Sequence, residues 1–282
     1  MSSAEVRRGA EPPTPFTEKS ILITGAGSGI GRALALELSG RGAIVWATDL
    51  ALLSAEQTKA AVLKRRGRCE ARSHDVRDLS SWQQLLAEIG RIDCLINNAG
   101  VAIGGETQYL SAADWQHVLA VNLMGAINGV QAVYPAMVAR RAGRIVNIAS
   151  VGGLAPYPLA LPYTTSKHAL VGLSLALRAE AHAHGIKVNV ACPGAVKTPI
   201  WQTSASRGGW NREAALAQIP LWMSAETCAH RIVQGLLADR PLIEVTLETQ
   251  VMSALHRLSP RWSVWLHQKL AAHIRRVAAA SG

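Results

Sequence analysis

The sequence predicts an α/β fold: a doubly wound parallel sheet covered by helices on both faces, in three α/β/α layers. Two observations predict it. Short apolar segments alternate with longer amphipathic segments along most of the 282 residues, which is the order of strands and helices in a parallel sheet. The first apolar segment also runs into a glycine-rich turn that opens a helix, as at the start of a βαβ unit. Right-handed crossovers between such units wind the sheet in both directions.

The individual elements follow from periodicity and from the residues that end each segment. Lys19 to Thr24 (KSILIT) is a short apolar run that stops at glycines, as a buried parallel strand does. Residues 29–40 place Ile30, Leu34 and Leu38 on one helical face and have Gly40 near the end. The same criteria predict strands at 19–24, 44–48, 68–73, 93–96, 144–149, 187–191 and 242–246. They predict helices at 29–40 and at about 54–66, 79–90, 112–140, 161–184 and 225–238.

This pattern predicts a single domain with a short extension at each end. Residues 1–17 are rich in proline and charge and are predicted to be a flexible tail. Residues 18–248 form the single domain, and residues 249–282 are predicted to form one or two helices broken near Pro260. The first residues lack the hydrophobic core of a signal peptide, and no apolar run approaches the roughly 18 residues of a membrane span. We therefore expect a cytoplasmic protein.

Composition argues against a metal site and against nucleic acid as a partner. The four cysteines are widely scattered and form no CxxC or Cys/His cluster, so free buried thiols are expected and no metal site. The net charge is +10, but residues 251–282 alone hold five basic residues and no acid. The remaining bases are interleaved with acids, and no zinc-finger or RNA-binding aromatic motif occurs. The excess charge is interpreted as a solvated face, with an acidic surface as the alternative.

The turn after the first strand is interpreted as a loop that holds a dinucleotide. Its sequence is Thr24-Gly25-Ala26-Gly27-Ser28-Gly29-Ile30-Gly31. Gly25 permits the tight turn, Gly29 lets backbone approach phosphate, and Gly31 allows close packing of helix on strand. The helix N-terminus then attracts the pyrophosphate. A glycine-rich turn without a ligand is the alternative, but the strand and helix on either side favour the dinucleotide.

Asp49 closes the second strand about 20 residues after the loop, where a carboxylate can accept hydrogen bonds from the adenosine ribose. The same carboxylate would repel a 2′-phosphate, and Leu50, Ala51 and Ser28 offer no positive charge. The sequence therefore predicts NAD rather than NADP, with a solvated strand-end aspartate as the alternative. Asp75-Val76, after the third strand, is placed to meet adenine, although an ordinary turn aspartate fits nearly as well.

Three residues form a candidate proton-transfer centre. Tyr163 and Lys167 are four residues apart and share a helical face, and Ser150 ends the fifth strand thirteen residues before the tyrosine. A free tyrosine has a pKa of about 10, too high for an efficient base at neutral pH. A nearby ammonium group favours the phenolate, so we expect Lys167 to lower that pKa. Together with the dinucleotide loop, this centre indicates hydride transfer.

The chain resembles the short-chain dehydrogenase/reductase family, the single-domain type with a Tyr-x-x-x-Lys motif and a Rossmann fold. The resemblance is carried by the glycine loop, Asn97-Asn98-Ala99-Gly100, Asn122, Ser150, Tyr163-Thr164-Thr165-Ser166-Lys167 and Pro193-Gly194, over about 18–200. It implies that Tyr163 is the acid/base, Ser150 holds the substrate oxygen and Lys167 bonds the nicotinamide ribose. It further implies that Asn122 anchors a water linking Lys167 to solvent, although a core-bonded asparagine is an alternative.

The resemblance also implies the remaining cofactor contacts. These positions are Gly25, Ser28, Gly29, Ile30, Gly31, Asp49, Asp75, Val76, Asn98, Ala99, Gly100, Tyr163, Lys167, Pro193, Gly194, Val196 and Thr198. Asn97 is expected to bond a neighbouring strand instead. Thr198 has a rival role as a helix N-cap before Pro199.

The substrate is expected beyond the carboxyl ends of the strands, under segments 101–110, 151–162 and 194–222. The last segment carries Trp201, Trp210 and Trp222, with Gly208-Gly209 as a candidate hinge. These segments hold no cluster of charge, although Lys197 and Arg207 are near. We therefore expect a neutral, apolar secondary or primary alcohol, or its ketone or aldehyde, such as a steroid, terpenoid or lipid-like molecule.

Two questions stay open at this level. Residues 249–282 have a mixed amphipathic face flanked by bases, which fits docking on the same chain, docking on a sister subunit of a homodimer or homotetramer, or peripheral contact with an acidic membrane. The function itself has two rivals to the NAD-dependent dehydrogenase. One is a non-catalytic NAD-binding scaffold or sensor, and the other is a nucleotide-sugar epimerase, for which the C-terminal region is short.

Overall fold

The computed structural model describes residues 14–208 and 222–280, and all statements on structure refer to these residues. The strands are β1 (Ser20–Thr24), β2 (Ile44–Asp49), β3 (Arg68–Ser73), β4 (Cys94–Asn97), β5 (Ile103–Gly104), β6 (Gly143–Ile148), β7 (Ile186–Cys192), β8 (Ala205–Ser206) and β9 (Leu242–Glu244). The helices are α1 (Gly29–Gly40), α2 (Leu52–Lys64), α3 (Leu79–Ile89), α4 (Ala112–Leu119), α5 (Gly125–Ala139), α6 (Leu161–His182), α7 (Ile200–Thr203), α8 (Ala225–Leu237), α9 (Leu247–Leu258) and α10 (Pro260–Ala280).

The main sheet has seven parallel strands in the order β3-β2-β1-β4-β6-β7-β9. The chain runs outward from β1 to β3 and then returns to the other side of β1 with β4. The order therefore reverses between β1 and β4, and a crevice opens there at the carboxyl ends of the strands. The predicted doubly wound α/β fold is confirmed.

Alternate residues of β1 supply the two halves of the core. Ile21 and Ile23 face one side, in a cluster with residues of α1 and α8 such as Leu34 and Ile232. Leu22 faces the other side, in a cluster with residues of α3, α5 and α6. Because both faces are covered, the strand has no polar side, which is why it reads as a continuous apolar run.

Helices α4 and α5 form one continuous helical run, Ala112–Ala139, joined by a single π turn at Ala120–Met124. By length and by a mean hydropathy of 1.2 over 18 residues, this run qualifies as a candidate membrane span, contrary to the expectation that no apolar run approaches that length. About 44% of that window is buried inside the protein. Val130, Val133 and Met137 pack in the core against the sheet, so the run is a core helix of the domain.

The ends of the domain differ from the predicted boundaries. Residues 1–13 of the predicted tail lie outside the described residues, but Phe16 is buried in the core, so the packed domain begins before residue 18. At the other end β9 stops at Glu244 and α9 begins at Leu247, two residues before the predicted extension. The expected break near Pro260 lies between α9 and α10, which pack against each other.

Candidate active site

The glycine loop joins β1 to the N-terminus of α1. Gly25 and Gly29 have φ angles of +61° and +52°, which other residues adopt only with strain. A Cβ on Gly25 would lie 2.8 Å from the Cα of Ala99, and a Cβ on Gly31 would overlap the carbonyl oxygen of Gly25. These glycines are therefore required by close approach of backbone. The loop leaves the N-terminus of α1 open to an anion.

Asparagines at the end of β4 hold this loop and the sheet together. The Nδ2 of Asn98 donates to the carbonyl oxygens of Thr24 and Gly25 at 2.9 and 3.0 Å. Asn97 instead donates to Oδ1 of Asn147 on β6 at 2.9 Å, which confirms its expected bond to a neighbouring strand. Asn98 thus fixes the glycine loop against the strand end that carries Ala99 and Gly100.

Asp49, the last residue of β2, lies at one end of the crevice. Its Oδ2 accepts from the backbone N–H of Gly27 at 3.0 Å, and its Oδ1 accepts from the N–H of Ala51 at 3.1 Å. Leu50, Ala51 and Ser28 carry no positive charge, but Arg32 on α1 donates to the carbonyl of Gly27 and to Thr58 Oγ1. The loop therefore carries a cation beside the carboxylate, and only three-dimensional packing reveals it.

Ser150 and Tyr163 meet at the carboxyl end of β6. Ser150 is buried, and its Oγ accepts from the N–H of Gly152 at 3.1 Å, which caps a short 3₁₀ turn, Val151–Gly153. Tyr163 projects from the first turn of α6 and is half-buried. Burial raises the pKa of Tyr163, and the nearby hydroxyl group of Ser150 acts in the opposite direction. Both hydroxyl groups therefore belong to the same cleft.

Lys167 is buried one turn along α6. Its Nζ donates to the carbonyl oxygen of Ile148 at 2.8 Å and lies 5.6 Å from the centroid of the Tyr163 ring. Burial lowers the pKa of Lys167 to about 8. The expected net lowering of the pKa of Tyr163 is wrong, because burial of the phenol raises that pKa.

Asn122 lies in the π turn and is 1% exposed. Its Oδ1 accepts from the N–H of Val101 at 2.8 Å, and its Nδ2 donates to the carbonyl of Val101 at 2.9 Å. Nδ2 also donates to Ser166 Oγ at 3.0 Å, on α6 between the tyrosine and the lysine. Asn122 thus ties the segment after Gly100 to the helix that carries Tyr163 and Lys167.

One cleft brings most of the predicted residues together. Its lining includes Gly25, Ser28, Gly29, Ile30, Asp49, Asn98, Ala99, Gly100, Ser150, Tyr163, Lys167, Pro193, Gly194, Val196 and Thr198. Four predicted residues do not line it: Gly31, Asp75, Val76 and Asn122. Asp75 forms an ion pair with Arg77 at 2.6 Å, and Val76 packs against Gly125. Four lining residues were missed: Ile148, Ala149, Pro199 and Ile200.

The missed residues share one cause, namely that each contributes position or apolar surface and no distinctive chemistry. Ile148 ends β6 and Ala149 follows it, directly before Ser150. Their position next to a predicted site residue is the signal that could have identified them. Pro199 is the N-cap of α7 and Ile200 is its first residue, directly after Thr198. The fit of a dinucleotide to this cleft rests on the positive-φ glycines, the open N-terminus of α1 and the carboxylate of Asp49 at one end.

A second cleft lies between the segment after Gly100 and the segment around α7 and β8. Residues Val101, Ala102, Ile103, Thr203 and Ala205 line it, with others. Strands β5 and β8 pair in parallel, and Arg207 donates through its backbone N–H to the carbonyl of Gly104 at 2.9 Å. Two of the three segments predicted to cover the substrate therefore meet in space.

Arg207 makes its main contact with Asp114, the third residue of α4. Its Nη2 lies 2.6 Å from Oδ1 of Asp114, whose pKa is held well below its usual range by this guanidinium. The charges that line the second cleft here thus neutralise each other. Trp210 and Gly209 lie outside the described residues, so the predicted hinge is described only at Gly208, whose φ is +69°.

The fold and the cleft together define a class, the nicotinamide-dependent oxidoreductases built on a doubly wound parallel sheet. Comparison with known proteins gives the family: residues 19–208 match the model of the short chain dehydrogenases. The chain belongs to the short-chain dehydrogenase/reductase family, whose members are typically homo-oligomers.

Among its relatives is levodione reductase from Leifsonia aquatica, which is 36% identical over 203 residues, covering 69% of this chain and 76% of the relative. A solved short-chain dehydrogenase from Burkholderia phymatum in complex with NAD has a TM-score of 0.79 at 28% identity, covering 86% of this chain and 94% of the other. A short-chain dehydrogenase from Sphingobium yanoikuyae in complex with NADPH has a TM-score of 0.72 at 28% identity, covering 80% and 87%. Both cofactors therefore occur among similar structures.

Proposed function

We propose that this protein interconverts a secondary or primary alcohol and its ketone or aldehyde, with NAD as cofactor and Tyr163 as acid/base. One observation carries the proposal: Ser150, Tyr163 and Lys167 converge in the same cleft as the glycine loop and Asp49. A binding scaffold would need the loop alone, so the convergence of a proton donor with a dinucleotide cleft favours catalysis. An epimerase is disfavoured because α9 and α10 leave no separate sugar-nucleotide domain among the described residues.

The glycine loop and the N-terminus of α1 would hold the pyrophosphate, and Asp49 would accept the ribose hydroxyls. The nicotinamide riboside would be contacted by other residues of the same cleft, namely Asn98, Lys167, Pro193 and Gly194. When bound, the nicotinamide supplies or accepts the hydride, and its ring is positively charged in the oxidised form.

The residues of this chain move the proton. In alcohol oxidation the phenolate form of Tyr163 takes the hydroxyl proton and becomes the phenol, and in ketone reduction the phenol gives its proton to the developing alkoxide and becomes the phenolate. Ser150 donates a hydrogen bond to the substrate oxygen and so keeps it within reach of Tyr163. Lys167 would stabilise the phenolate, and Asn122 positions α6 through its hydrogen bond to Ser166.

NAD is favoured over NADP because the carboxylate of Asp49 would lie beside a 2′-phosphate. Arg32 is the competing influence, but its guanidinium is engaged by the Gly27 carbonyl, by Thr58 and by Gln57. An arginine that is held by neutral acceptors within the fold is a weaker partner for phosphate than one free to turn toward it. The carboxylate is therefore expected to decide the preference.

The substrate is expected to be neutral and apolar, such as a steroid, terpenoid or lipid-like molecule. The second cleft supports this, because half of the residues that line it are valine, alanine or isoleucine and its Asp114–Arg207 pair has no net charge. The relative named levodione reductase acts on a dione by its name, which agrees with this class.

We also propose a cytoplasmic homodimer or homotetramer, which light scattering after gel filtration would test.

The deciding experiment is a screen of neutral alcohols and ketones in which NADH absorbance is followed in both directions. Turnover of a neutral alcohol with NAD, lost in the Tyr163→Phe variant, is the expected result. Binding of NADH without turnover of any compound would favour the scaffold. Exchange of sugar-nucleotide epimers without net change in absorbance would favour the epimerase.

A further inference from the structure

Helix α10 is fixed to its own chain by one face. Ser263, His267 and Ala271 are spaced by four residues and are all buried. Near the other end of the helix, Nε of Arg275 lies 2.7 Å from Oε1 of Glu106, in the segment between β5 and α4. The helix therefore has a defined inner face, and docking on the same chain accounts for that face only.

The opposite face of α10 exposes large apolar side chains. Trp262, Trp265 and Leu266 are 63%, 50% and 45% exposed and follow the three- and four-residue spacing of one face. The two indole rings meet edge to face, with centroids 5.7 Å apart. Lys269 continues the same face, with its Nζ 5.8 Å from the centroid of the Trp265 ring. Apolar and basic groups thus share one outward surface.

The charge on this surface has one sign. Arg261, Lys269 and Arg276 form no ion pair with any residue that the structure describes. Residues 251–282 contain five bases and no acid. This outer face, formed by Trp262, Trp265, Leu266, Lys269 and Arg276, therefore calls for a partner that is negatively charged and also accepts indole and leucine side chains.

We propose that the outer face of α10 docks the protein on a bilayer surface that is rich in anionic lipid. Tryptophan is favoured at the boundary between headgroups and acyl chains, and lysine and arginine pair with anionic headgroups. A second copy of this chain is disfavoured, because a two-fold contact through this face would place like charges opposite each other. A nucleic acid would pair its phosphates with the lysine and arginine side chains but would leave Leu266 without an apolar partner.

The first test measures sedimentation of the full chain with vesicles of phosphatidylcholine alone and of phosphatidylcholine mixed with phosphatidylglycerol. The wild type is expected to bind the mixed vesicles, and to bind them less as salt rises. The variant Lys269→Glu/Arg276→Glu is expected to lower the partition coefficient by about tenfold or more. The matched control is Lys64→Glu/Arg65→Glu, which makes the same change in net charge at exposed positions at the end of α2 and should stay near wild type.

Equal losses in the two charge variants, or equal binding to neutral vesicles, would overturn the proposal. A second pair of variants tests the apolar part of the face: Trp262→Ser/Trp265→Ser should weaken vesicle binding, whereas Leu53→Ser/Leu63→Ser, at exposed positions of α2, should not. If the wild type does not bind vesicles, and light scattering shows a larger mass for the wild type than for the outer-face variants, the partner is a second copy of this chain. Binding of polyuridylic acid with that same dependence would identify nucleic acid. Unchanged NADH binding by the variants would show that the fold is intact.

Discussion

The ammonium group of Lys167 lies 5.6 Å from the centroid of the Tyr163 ring while it donates to the carbonyl of Ile148. Both side chains are removed from solvent in the same cleft, and this burial shifts their pKa values in opposite directions. Burial raises the pKa of the phenol and lowers the pKa of the amine, because in each case the charged form is disfavoured. The cleft therefore disfavours the charged form of both side chains.

The variant Tyr163→Phe is expected to bind NADH normally and to lose about 10²- to 10⁴-fold in kcat, because it removes the proton donor and leaves the ring. Fluorescence titration with NADH and steady-state turnover measure the two properties. Tyr134→Phe is the matched control, since Tyr134 lies on α5 outside the cleft and contacts the ring of His184. Near-normal turnover by Tyr163→Phe would refute the acid/base role.

The variant Lys167→Met is expected to be more stable than the wild type at pH 6–7, by up to about 3 kcal/mol, because a buried lysine with a pKa of about 8 resists protonation. The unfolded chain binds this proton up to about pH 10.5, so the wild type gains stability as pH rises from about 8 to 10.5. The advantage of the variant should shrink over that interval. Urea unfolding at pH 7 and pH 10 measures it, and a gap that widens with pH would contradict the burial of a charged amine.

The variant Asp49→Asn is expected to raise the ratio of kcat/KM for NADP to kcat/KM for NAD by about tenfold or more, because it removes the charge that opposes a 2′-phosphate. The amide keeps the shape that accepts from the N–H of Gly27. Asp75→Asn is the matched control: it alters another strand-end aspartate that does not line the cleft. Equal shifts in the two variants would mean that the effect is general electrostatics, and an unchanged ratio would point to Arg32 instead.

The variant Gly31→Ala is expected to destabilise the fold by about 1–3 kcal/mol and to weaken NADH binding, because the new methyl group would overlap the carbonyl of Gly25 and the amide of Asn98. Gly172→Ala serves as the opposite case. Gly172 lies on the exposed side of α6 with nothing within 4 Å of a Cβ, so the change should stabilise by about 0.5–1 kcal/mol. Thermal unfolding of both variants checks the difference in sign.

The sheet was predictable because β1, β2, β4, β6 and β7 are buried on both faces and their apolar runs leave no second interpretation. The candidate site was predictable where chemistry is distinctive, at the glycine loop and at Ser150, Tyr163 and Lys167. Contacts that depend on three-dimensional packing were not predicted. Arg32 contacts the loop because α1 packs on α2, and Arg207 pairs with Asp114, which is 93 residues away in the sequence. The pairing of β5 with β8 escaped for the same reason, since a two-residue strand has no periodicity to detect.

The pKa of Tyr163 shows a different limit of the sequence. Spacing places the lysine on the same helical face, which is enough to predict proximity. Whether proximity or burial controls the pKa depends on how much solvent is removed from both groups, and this is set by β6, α6 and the loop after β7 together. The sequence therefore predicts that Tyr163 and Lys167 are close, but it does not predict whether proximity or burial has the larger effect on the pKa.

The π turn at Asn122 makes the number of residues in the long helix as important as their identity. The buried residues Val118, Asn122, Ala126 and Val130 are each four apart. In a regular α-helix four residues overshoot one turn by about 40°, so three such steps would carry the side chains about 120° around the axis. The wider π turn takes up part of this drift. Deleting one residue from 120–124 would therefore rotate α4 against α5. Such a deletion should destabilise the fold more than any single substitution in that turn. Functional variants are therefore expected to keep the number of residues in this turn.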